Sequence, residues 1–188
     1  GFFIMKEIKL GKGDYITQVD DGDYVFLNKW KWFAKDGRGG RFYAYRQEFT
    51  GKRYSNGDKK YTLIKMHRVI LSLSDKNILV DHKDRNTLNN QKNNLRIATS
   101  SQNSANRKVL ENRTSKYLGV SVKKVYCRNV KKEIIHTYIK YVAQIKNNSR
   151  KKELGTFPLT QEGEILAAKK YDEAAKKYHG EFANLNFK

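Results

Sequence analysis

The 188-residue sequence contains a single cysteine, Cys127, and this scarcity excludes two kinds of stabilising site. Neither a disulfide framework nor a four-thiolate zinc site can form within a chain that has one thiol. The composition therefore predicts a core held by packing alone, in a reducing, cytoplasmic setting.

Long apolar runs are also missing, and acidic residues are few. The sequence has no apolar stretch of about 18 residues and no basic amphipathic anchor, so membrane association is disfavoured. Asp and Glu number 19 against 39 Lys and Arg, which gives a formal net charge of +20. Because the basic residues are spread along the whole chain, we expect a polyanionic partner. Nucleic acid is favoured over a basic surface that serves only solubility.

The segment from residue 6 to residue 62 is rich in Tyr, Phe, Trp and Val and contains several pairs typical of tight turns. This pattern predicts a β-rich scaffold of short strands joined by turns, and the prediction does not cover the four residues before Met5. The turn pairs are Asp21-Gly22, Asp36-Gly37 and Gly39-Gly40.

Three aromatic residues in this segment, Trp30, Trp32 and Phe33, have two possible uses. They could stack on exposed bases, as in proteins that bind single strands. In a small β-rich unit with little other apolar material, we favour them as the core.

Residues 63–107 combine short apolar runs with a polar loop that is dense in Asn. The order of patterns predicts a helix, a strand, the loop, a second strand and a further helix whose first amides a hydroxyl can cap. The expected elements are a helix over His67 to Leu73, a strand ending at Leu79-Val80, a strand over Asn94 to Ala98, and a helix from Thr99 or Ser100.

The Asp81-His82 pair at the end of the first of these strands offers the chemistry of phosphodiester hydrolysis. A histidine with an ordinary pKa of about 6.5 is partly neutral at physiological pH and can accept a proton from water. Successive side chains at a strand end diverge, so Asp81 is available for a second role. Its carboxylate is a ligand that magnesium prefers, and an Asn of the following helix can supply another oxygen.

The spacing of this stretch resembles the HNH, or ββα-metal, nuclease family in its homing-endonuclease branch. The matching residues are Asp81-His82, Asn89-Asn90, Asn94-Leu95-Arg96 and Asn103, with Asn94 twelve and Asn103 twenty-one positions after His82. The resemblance implies that His82 is the general base and that Asp81 and Asn103 hold a magnesium or manganese ion. It also implies that Asn94 braces the loop so that the imidazole points at the water, and that Arg96 contacts DNA.

Two further features follow from this resemblance. Met66-His67-Arg68 resembles a helix that often precedes the motif. We favour a buried, hydrogen-bonded or phosphate-contacting role for His67 over that of a second catalytic histidine. Some branches of the family hold a structural zinc between Cys-x-x-Cys knuckles, and a chain with one cysteine cannot contain that site.

Residues 108–115 are basic and polar without an apolar period and are interpreted as a linker, either tracking a DNA backbone or simply solvated.

The pattern of residues 116–188 predicts three strands followed by a helix. A stripe of small and aromatic residues on that helix lets it lie close to a sheet. The strands are Tyr117 to Lys124, Thr137 to Lys146 and Lys151 to Phe157; Pro158 and Thr160 mark the helix start, Gly180 its end, and Ala167, Tyr171, Ala174 and Tyr178 the stripe.

This carboxyl-terminal region resembles the AP-two, or ethylene-response-factor, type of DNA-binding domain. That family lays a three-stranded antiparallel sheet into the major groove while one helix packs behind it. By position, the resemblance implies DNA contacts from Ser121, Lys123, Gln144, Lys146, Lys151 and Glu153.

Three departures from the AP-two pattern limit what can be carried over. Leu118 stands where an Arg is usual and Glu153 where a Trp is usual, so base preference cannot be transferred. Val125 to His136 forms a longer excursion than the family loop and is interpreted as a hairpin extension.

Taken together, these patterns predict an α+β protein with a β-rich scaffold, a central ββα-metal motif, and a three-stranded sheet packed on one helix. The favoured function is a metal-dependent, sequence-directed endonuclease acting on double-stranded DNA, of the kind found in phage and mobile elements. The alternatives are a non-catalytic DNA-binding protein of transcription-factor type and an RNA-binding protein. One site per chain suits a nicking monomer, whereas symmetric double-strand cutting requires a homodimer.

Overall fold

The computed structural model describes residues 4–37, 40–106, 114–147 and 150–187. The chain divides into two compact units, Gly1–Thr99 and Ser100–Lys188. Both combine small antiparallel sheets with a few helices, so the predicted α+β class is confirmed. Within the described ranges, no helix is both long and apolar enough to cross a membrane.

The first unit contains three small antiparallel sheets. β1 pairs with β2, β3 to β5 form a meander, and β6 pairs with β7. Its core gathers Leu10, Val19, Leu27, Trp32 and Met66, which confirms that Trp32 is a core residue. The elements are β1 (Met5–Lys9), β2 (Ile16–Asp20), α1 (Asp21–Leu27), β3 (Phe33–Asp36), β4 (Phe42–Arg53), β5 (Lys59–Lys65), α2 (Met66–Ile70), β6 (Leu79–His82) and β7 (Leu95–Ala98).

The scaffold differs from the sequence prediction at the Asp21-Gly22 pair. This pair begins helix α1 and is not a tight turn between strands. Asp21 and Asp23 lie in the first turn, where carboxylates favour the positive end of the helix dipole. Leu27 is completely buried and Tyr24, three residues earlier, packs against the same core. Helical burial of these two side chains therefore outweighs the turn propensity of Asp-Gly.

Other predictions for the first unit differ in detail. Ile4, which the sequence prediction did not cover, accepts a backbone hydrogen bond from Asp21. Helix α2 ends at Ile70 because Ser72 has a left-handed φ of 52°, which a helix cannot continue through. Gly39 of the Gly39-Gly40 pair lies outside the described residues.

The second unit is a three-stranded antiparallel sheet with one long helix on its face. The strand order β10-β9-β8 puts β9 in the centre. Ala143 and Ile145 of β9 are buried on the side of the sheet where Ala168 and Tyr171 of the helix also lie buried. The elements are α3 (Ser100–Ala105), β8 (Val120–Arg128), β9 (Ile134–Asn147), β10 (Arg150–Phe157), α4 (Gln161–His179) and a 3-10 turn, Gly180–Phe182.

The predicted ends of α4 are confirmed. The Thr160 hydroxyl accepts a hydrogen bond from the amide of Gly163 (3.0 Å), and Gly180 ends the helix with a φ of 52°. The excursion from Val125 to His136 is a hairpin extension, because β8 and β9 stay paired as far as Arg128 and Ile134.

The finer domain boundaries remain predictions. The two units divide at Thr99, inside the range 63–107 that the sequence groups as one motif. Most of the predicted linker at 108–115 lies outside the described residues, since residues 107–113 are not described.

Gly119 provides a test of packing in the second unit. Its φ is +71°, and a Cβ at this position would overlap the ring of Tyr171. We expect Gly119→Ala to lower the free energy of unfolding by about 2–4 kcal/mol, from left-handed strain plus overpacking. Gly57→Ala is the matched control, because its φ is +87° but nothing lies within 4 Å. Urea denaturation followed by circular dichroism measures both, and equal losses would contradict the packing argument.

Candidate active site

The β6–β7 hairpin holds the Asp81-His82 pair inside paired strand, not in a loop. Asp81 is opposite Arg96 and His82 is opposite Leu95 in the antiparallel register. Both Asp81 and His82 are buried. Because adjacent strand residues point to opposite faces, the two side chains enter different environments.

Asp81 forms an ion pair with Arg96 across the hairpin. The Arg96 Nε and Nη2 atoms donate to Asp81 Oδ2 at 2.9 and 2.7 Å. The two side chains are only 11% and 6% exposed, so the pair is largely withdrawn from water. Arg96, expected to contact DNA, therefore already contacts a predicted metal ligand within the protein.

His82 is oriented by Asn90 through a chain of hydrogen bonds. The Thr17 hydroxyl donates to the Leu88 carbonyl (2.7 Å) and accepts from Asn90 Nδ2 (2.8 Å). This turns Asn90 Oδ1 towards His82 Nε2, 3.3 Å away. An amide oxygen only accepts, so Nε2 carries the proton and Nδ1 is the acceptor nitrogen of the neutral imidazole.

A second histidine and a tyrosine surround the His82 ring. The His67 ring lies edge-on at 5.3 Å between centroids, and the Tyr43 ring is 6.2 Å from His82 and 5.9 Å from His67. Burial, together with the neighbouring His82, Lys65 and Arg68, lowers the pKa of His67 to about 2. Burial also lowers the pKa of His82, whereas the Asn90 hydrogen bond and the nearby carboxylates act in the opposite direction. The cluster therefore favours two neutral imidazoles.

Lys65 adds positive charge beside this ring cluster. Its Nζ atom lies 4.9 Å from the centroid of the Tyr43 ring and 5.8 Å from that of Tyr45. Burial lowers the pKa of Lys65, and the positive charge of Arg68 adds to the effect. A partly desolvated ammonium against aromatic faces is suited to bind an anion, because fewer waters compete for it.

Asn94 closes the loop between β6 and β7. Its Oδ1 accepts from the amide of Asp84 (3.0 Å), while its Nδ2 donates to Asp84 Oδ1 (2.9 Å) and to the Asn89 carbonyl (2.8 Å). Asp84 also accepts from Asn89 Nδ2 (2.7 Å). These contacts join both halves of the loop. Asn94 therefore braces the loop through its backbone and Asp84, and the residue that contacts the imidazole is Asn90.

The loop is docked onto strand β2 of the scaffold. Gln18 donates its amide to the Leu88 carbonyl (2.9 Å) and accepts from the Asn90 amide (2.8 Å). Asp20 accepts from the backbone amide of Lys92 (2.8 Å). The amino-terminal segment is thus part of the structural support of the site.

Comparison with known proteins finds a family match within this region. Residues 65–105 match the HNH endonuclease model. A similar protein, an uncharacterised HNH endonuclease of Acanthamoeba polyphaga mimivirus, is 29% identical over 188 aligned positions, covering 90% of this chain and 88% of that protein. No solved structure matches the chain. We refer to residues 65–105 as the HNH segment.

The HNH segment contains both predicted metal ligands, and their chemistry suits a hard cation. A carboxylate can accept about four contacts, so Arg96 alone does not saturate Asp81. Asn103 is exposed on α3, which belongs to the second unit, and its amide oxygen is also a hard donor. The described residues contain no group of three or more His, Cys, Asp or Glu side chains that could hold a metal. Pairing of Asp81 with Asn103 stays a prediction.

The residues predicted to contact DNA in the second unit share one face of its sheet. The register aligns Ser121 with Val142, Gln144 with Glu153, and Lys146 with Lys151. This face is opposite the one that buries Ala143 and Ile145. The face includes a hydrogen bond from Gln144 to Ser121 (3.0 Å) and an ion pair between Lys123 and Glu153 (3.3 Å). Its predicted members are Ser121, Lys123, Gln144, Lys146, Lys151 and Glu153.

Sequence reasoning missed several contacts of His82. Asn90 appeared only as part of the Asn-rich pattern, although it is the residue bonded to the imidazole. Thr17 is separated from Asn90 by 73 positions, and no local pattern could have paired them. Tyr43 and Lys65 also gave no sequence signal. For His67, a buried, hydrogen-bonded or phosphate-contacting role was favoured, and its burial is confirmed.

The buried His67 predicts a specific acid sensitivity. Its folded pKa of about 2 is below the ordinary 6.5, so the stabilisation is complete above pH 6.5 and is lost as pH falls towards 2. One such group steepens the loss of unfolding free energy by about 1.4 kcal/mol per pH unit below 6.5. We expect His67→Gln to remove this slope in urea titrations between neutral and mildly acidic pH. A wild-type slope in the His67 variant would refute the assignment.

Proposed function

We propose that this chain is a sequence-directed DNA endonuclease of the homing type that depends on a divalent cation, magnesium or manganese. The HNH match and the name of the viral relative support nuclease chemistry. The observation that carries the proposal is the orientation of His82. Its Nε2 proton is committed to Asn90, which makes Nδ1 the basic nitrogen of the imidazole.

In this proposal, His82 is the general base. Nδ1 accepts a proton from the attacking water, and the resulting imidazolium keeps its Nε2 hydrogen bond to Asn90. Asn90 and Thr17 are positioning residues, since they act on the ring rather than on the substrate. Asn94 holds the loop that carries Asn90, which preserves the distance between the amide and the imidazole.

Asp81 and Asn103 are proposed to hold the divalent cation, as the motif spacing implies. When bound, the cation would neutralise charge that develops on the phosphate and on the leaving 3′ oxygen. Arg96 keeps the Asp81 carboxylate in a fixed position through its two hydrogen bonds. Lys65 is placed to attract a phosphate next to the histidine pair.

The second unit is proposed to select the site on double-stranded DNA. Its three-stranded sheet with one helix behind has the architecture that the AP-two resemblance implies. The face opposite α4 carries three predicted lysine contacts together with Gln144, whose amide can read base edges. The HNH segment would then cut where this face binds, in the cell of a bacterial, phage or other mobile-element host.

Catalysis by His82 can be tested directly. Wild-type protein should nick or cut plasmid DNA with added magnesium or manganese and stop when the ion is chelated. His82→Ala should slow cleavage by at least about 100-fold, because general-base catalysis contributes that much or more. Its DNA affinity should stay within about two-fold of wild type, since the sheet face that binds DNA is unchanged.

His179→Ala is the control for the loss of a histidine away from the site, because His179 lies in the last turn of α4. Circular dichroism verifies that both variants fold. If wild-type protein binds DNA and leaves every substrate intact across divalent ions, the non-catalytic binding protein replaces the endonuclease. Mapping of the cut on both strands distinguishes a nick from a double-strand break.

Site selection by the sheet is tested separately with full-length protein. Lys146→Ala and Lys151→Ala should each lower affinity and reduce the slope of log K against log salt by about 1, because one phosphate contact is lost. Gln144→Ala should relax base preference in a random-site selection. Lys169→Ala removes the same charge from exposed α4 and should change neither property. Unchanged selection and salt slope in the sheet variants would exclude this face as the reader.

A further inference from the structure

The hairpin of β8 and β9 extends beyond the sheet as a two-stranded arm. Strand β10 pairs with β9 only from Asn147 to Tyr141. Beyond that point β9 has β8 alone as a partner, from the pair Lys123 and Lys140 to the pair Arg128 and Ile134. At about 3.4 Å per residue, the arm reaches roughly 15–20 Å past the three-stranded sheet. We call residues 123–140 the arm.

The tip of the arm is an ordered loop. Asn129 donates its amide to the Glu133 carbonyl (3.0 Å), and its side chain bonds both the Glu133 amide (2.9 Å) and the Glu133 carboxylate (2.7 Å). Arg128 donates to the Lys132 carbonyl (3.1 Å). These contacts close the loop around Val130, whose side chain is completely exposed, at 102% relative exposure.

The arm combines apolar exposure with strong positive charge. Tyr126, Ile134, Ile135 and Ile139 are 42–65% exposed. The arm has six basic residues, and its one acidic residue, Glu133, is bonded to Asn129. A two-stranded hairpin by itself is marginally stable in water, and an exposed apolar ribbon invites association. These properties fit an arm that a partner covers in use.

Charge decides which kind of partner fits. A second copy of the chain would bring another +20 of like charge against the arm. A polyanion is attracted by the same lysines, and duplex DNA presents phosphates on either side of a groove. The apolar tip is suited to the groove floor, because minor-groove proteins insert aliphatic side chains between base steps while their basic residues contact the flanking phosphates.

We propose that the arm crosses the sugar–phosphate backbone and inserts Val130 into the minor groove, bending the DNA. This inference rests on the proposed binding of duplex DNA by the second unit. The sheet face would occupy the major groove, and the arm continues from the two strands that form part of that face. Its length is sufficient to pass the backbone, since the major groove is about 12 Å wide. Lys131 lies next to the wedge and contacts phosphate.

The test uses a duplex of about 30 base pairs, far shorter than the DNA persistence length of about 150 base pairs. The duplex is recovered with wild-type protein from a random-sequence library and labelled with a donor and an acceptor at its ends. We expect wild-type protein to increase energy transfer. Val130→Ser should lose most of that increase and bind about 5- to 10-fold more weakly, because the apolar wedge between base steps is lost. A 2-aminopurine scan of the duplex should show an unstacked step with wild type only.

Val25→Ser is the matched control, because Val25 is an exposed valine (71%) on α1 of the first unit. It should bend and bind the duplex as wild type does. Substitutions at exposed positions usually leave stability nearly unchanged, so folding does not confound either variant. Lys131→Ala should keep the bend while the slope of log K against log salt falls by about 1.

The outcomes separate this inference from the proposed function. Binding without bending by wild-type protein, or equal bending by Val130→Ser, overturns the wedge while the endonuclease and the sheet reader stand. A change of oligomeric state in Val130→Ser, measured by light scattering, would make the tip a protein interface and would also overturn it. If wild-type protein recovers no duplex from the library, the proposal that the second unit binds DNA is itself wrong.

Discussion

The hydrogen bond between Asn90 and His82 is the contact on which the candidate site depends. Three separate interactions hold Asn90 in the position that this hydrogen bond requires. The loop after β6 is docked on β2, the Thr17 hydroxyl fixes the Asn90 amide, and Asn94 closes the loop around them. Asn90 is almost completely buried, so loss of any partner leaves a polar group without compensation. The same network that orients the imidazole therefore stabilises the first unit.

Charge is organised differently at the site and on the surface. The protein carries a net charge of +20, yet the two site histidines are held neutral by burial and Asp81 is paired with Arg96. The surface lysines attract phosphate over a distance set by salt screening. The buried groups respond less to salt, because little solvent reaches them. In the proposed endonuclease, this arrangement would attract DNA over a distance while the histidine base stays neutral.

The second unit packs one face of its sheet against α4 and leaves the other face open. Small residues of α4 and Gly119 allow the helix to lie close to the sheet, so one face is fully used in forming the core. The opposite face remains available for lysine, glutamine and serine side chains. Beyond the reach of β10, the two long strands continue without a third, which leaves both sides of the arm open. The open sheet face and the arm are therefore consequences of unequal strand lengths in one sheet.

The sequence by itself determined the elements whose signals are local. The caps of α4, the three strands before it and the strands on either side of the Asn-rich loop follow from capping residues, alternation and spacing. The same local reasoning failed at Asp21-Gly22, where burial of Leu27 selects a helix.

Only the tertiary structure decided which side chains meet at His82. Thr17, Tyr43 and Lys65 come from β2, β4 and β5, and their contacts with the motif depend on how those strands pack. It also decided that Arg96 contacts Asp81, through the register of β6 and β7. A motif can specify the reactive residue types, whereas the tautomer of a buried histidine depends on neighbours that are distant in sequence.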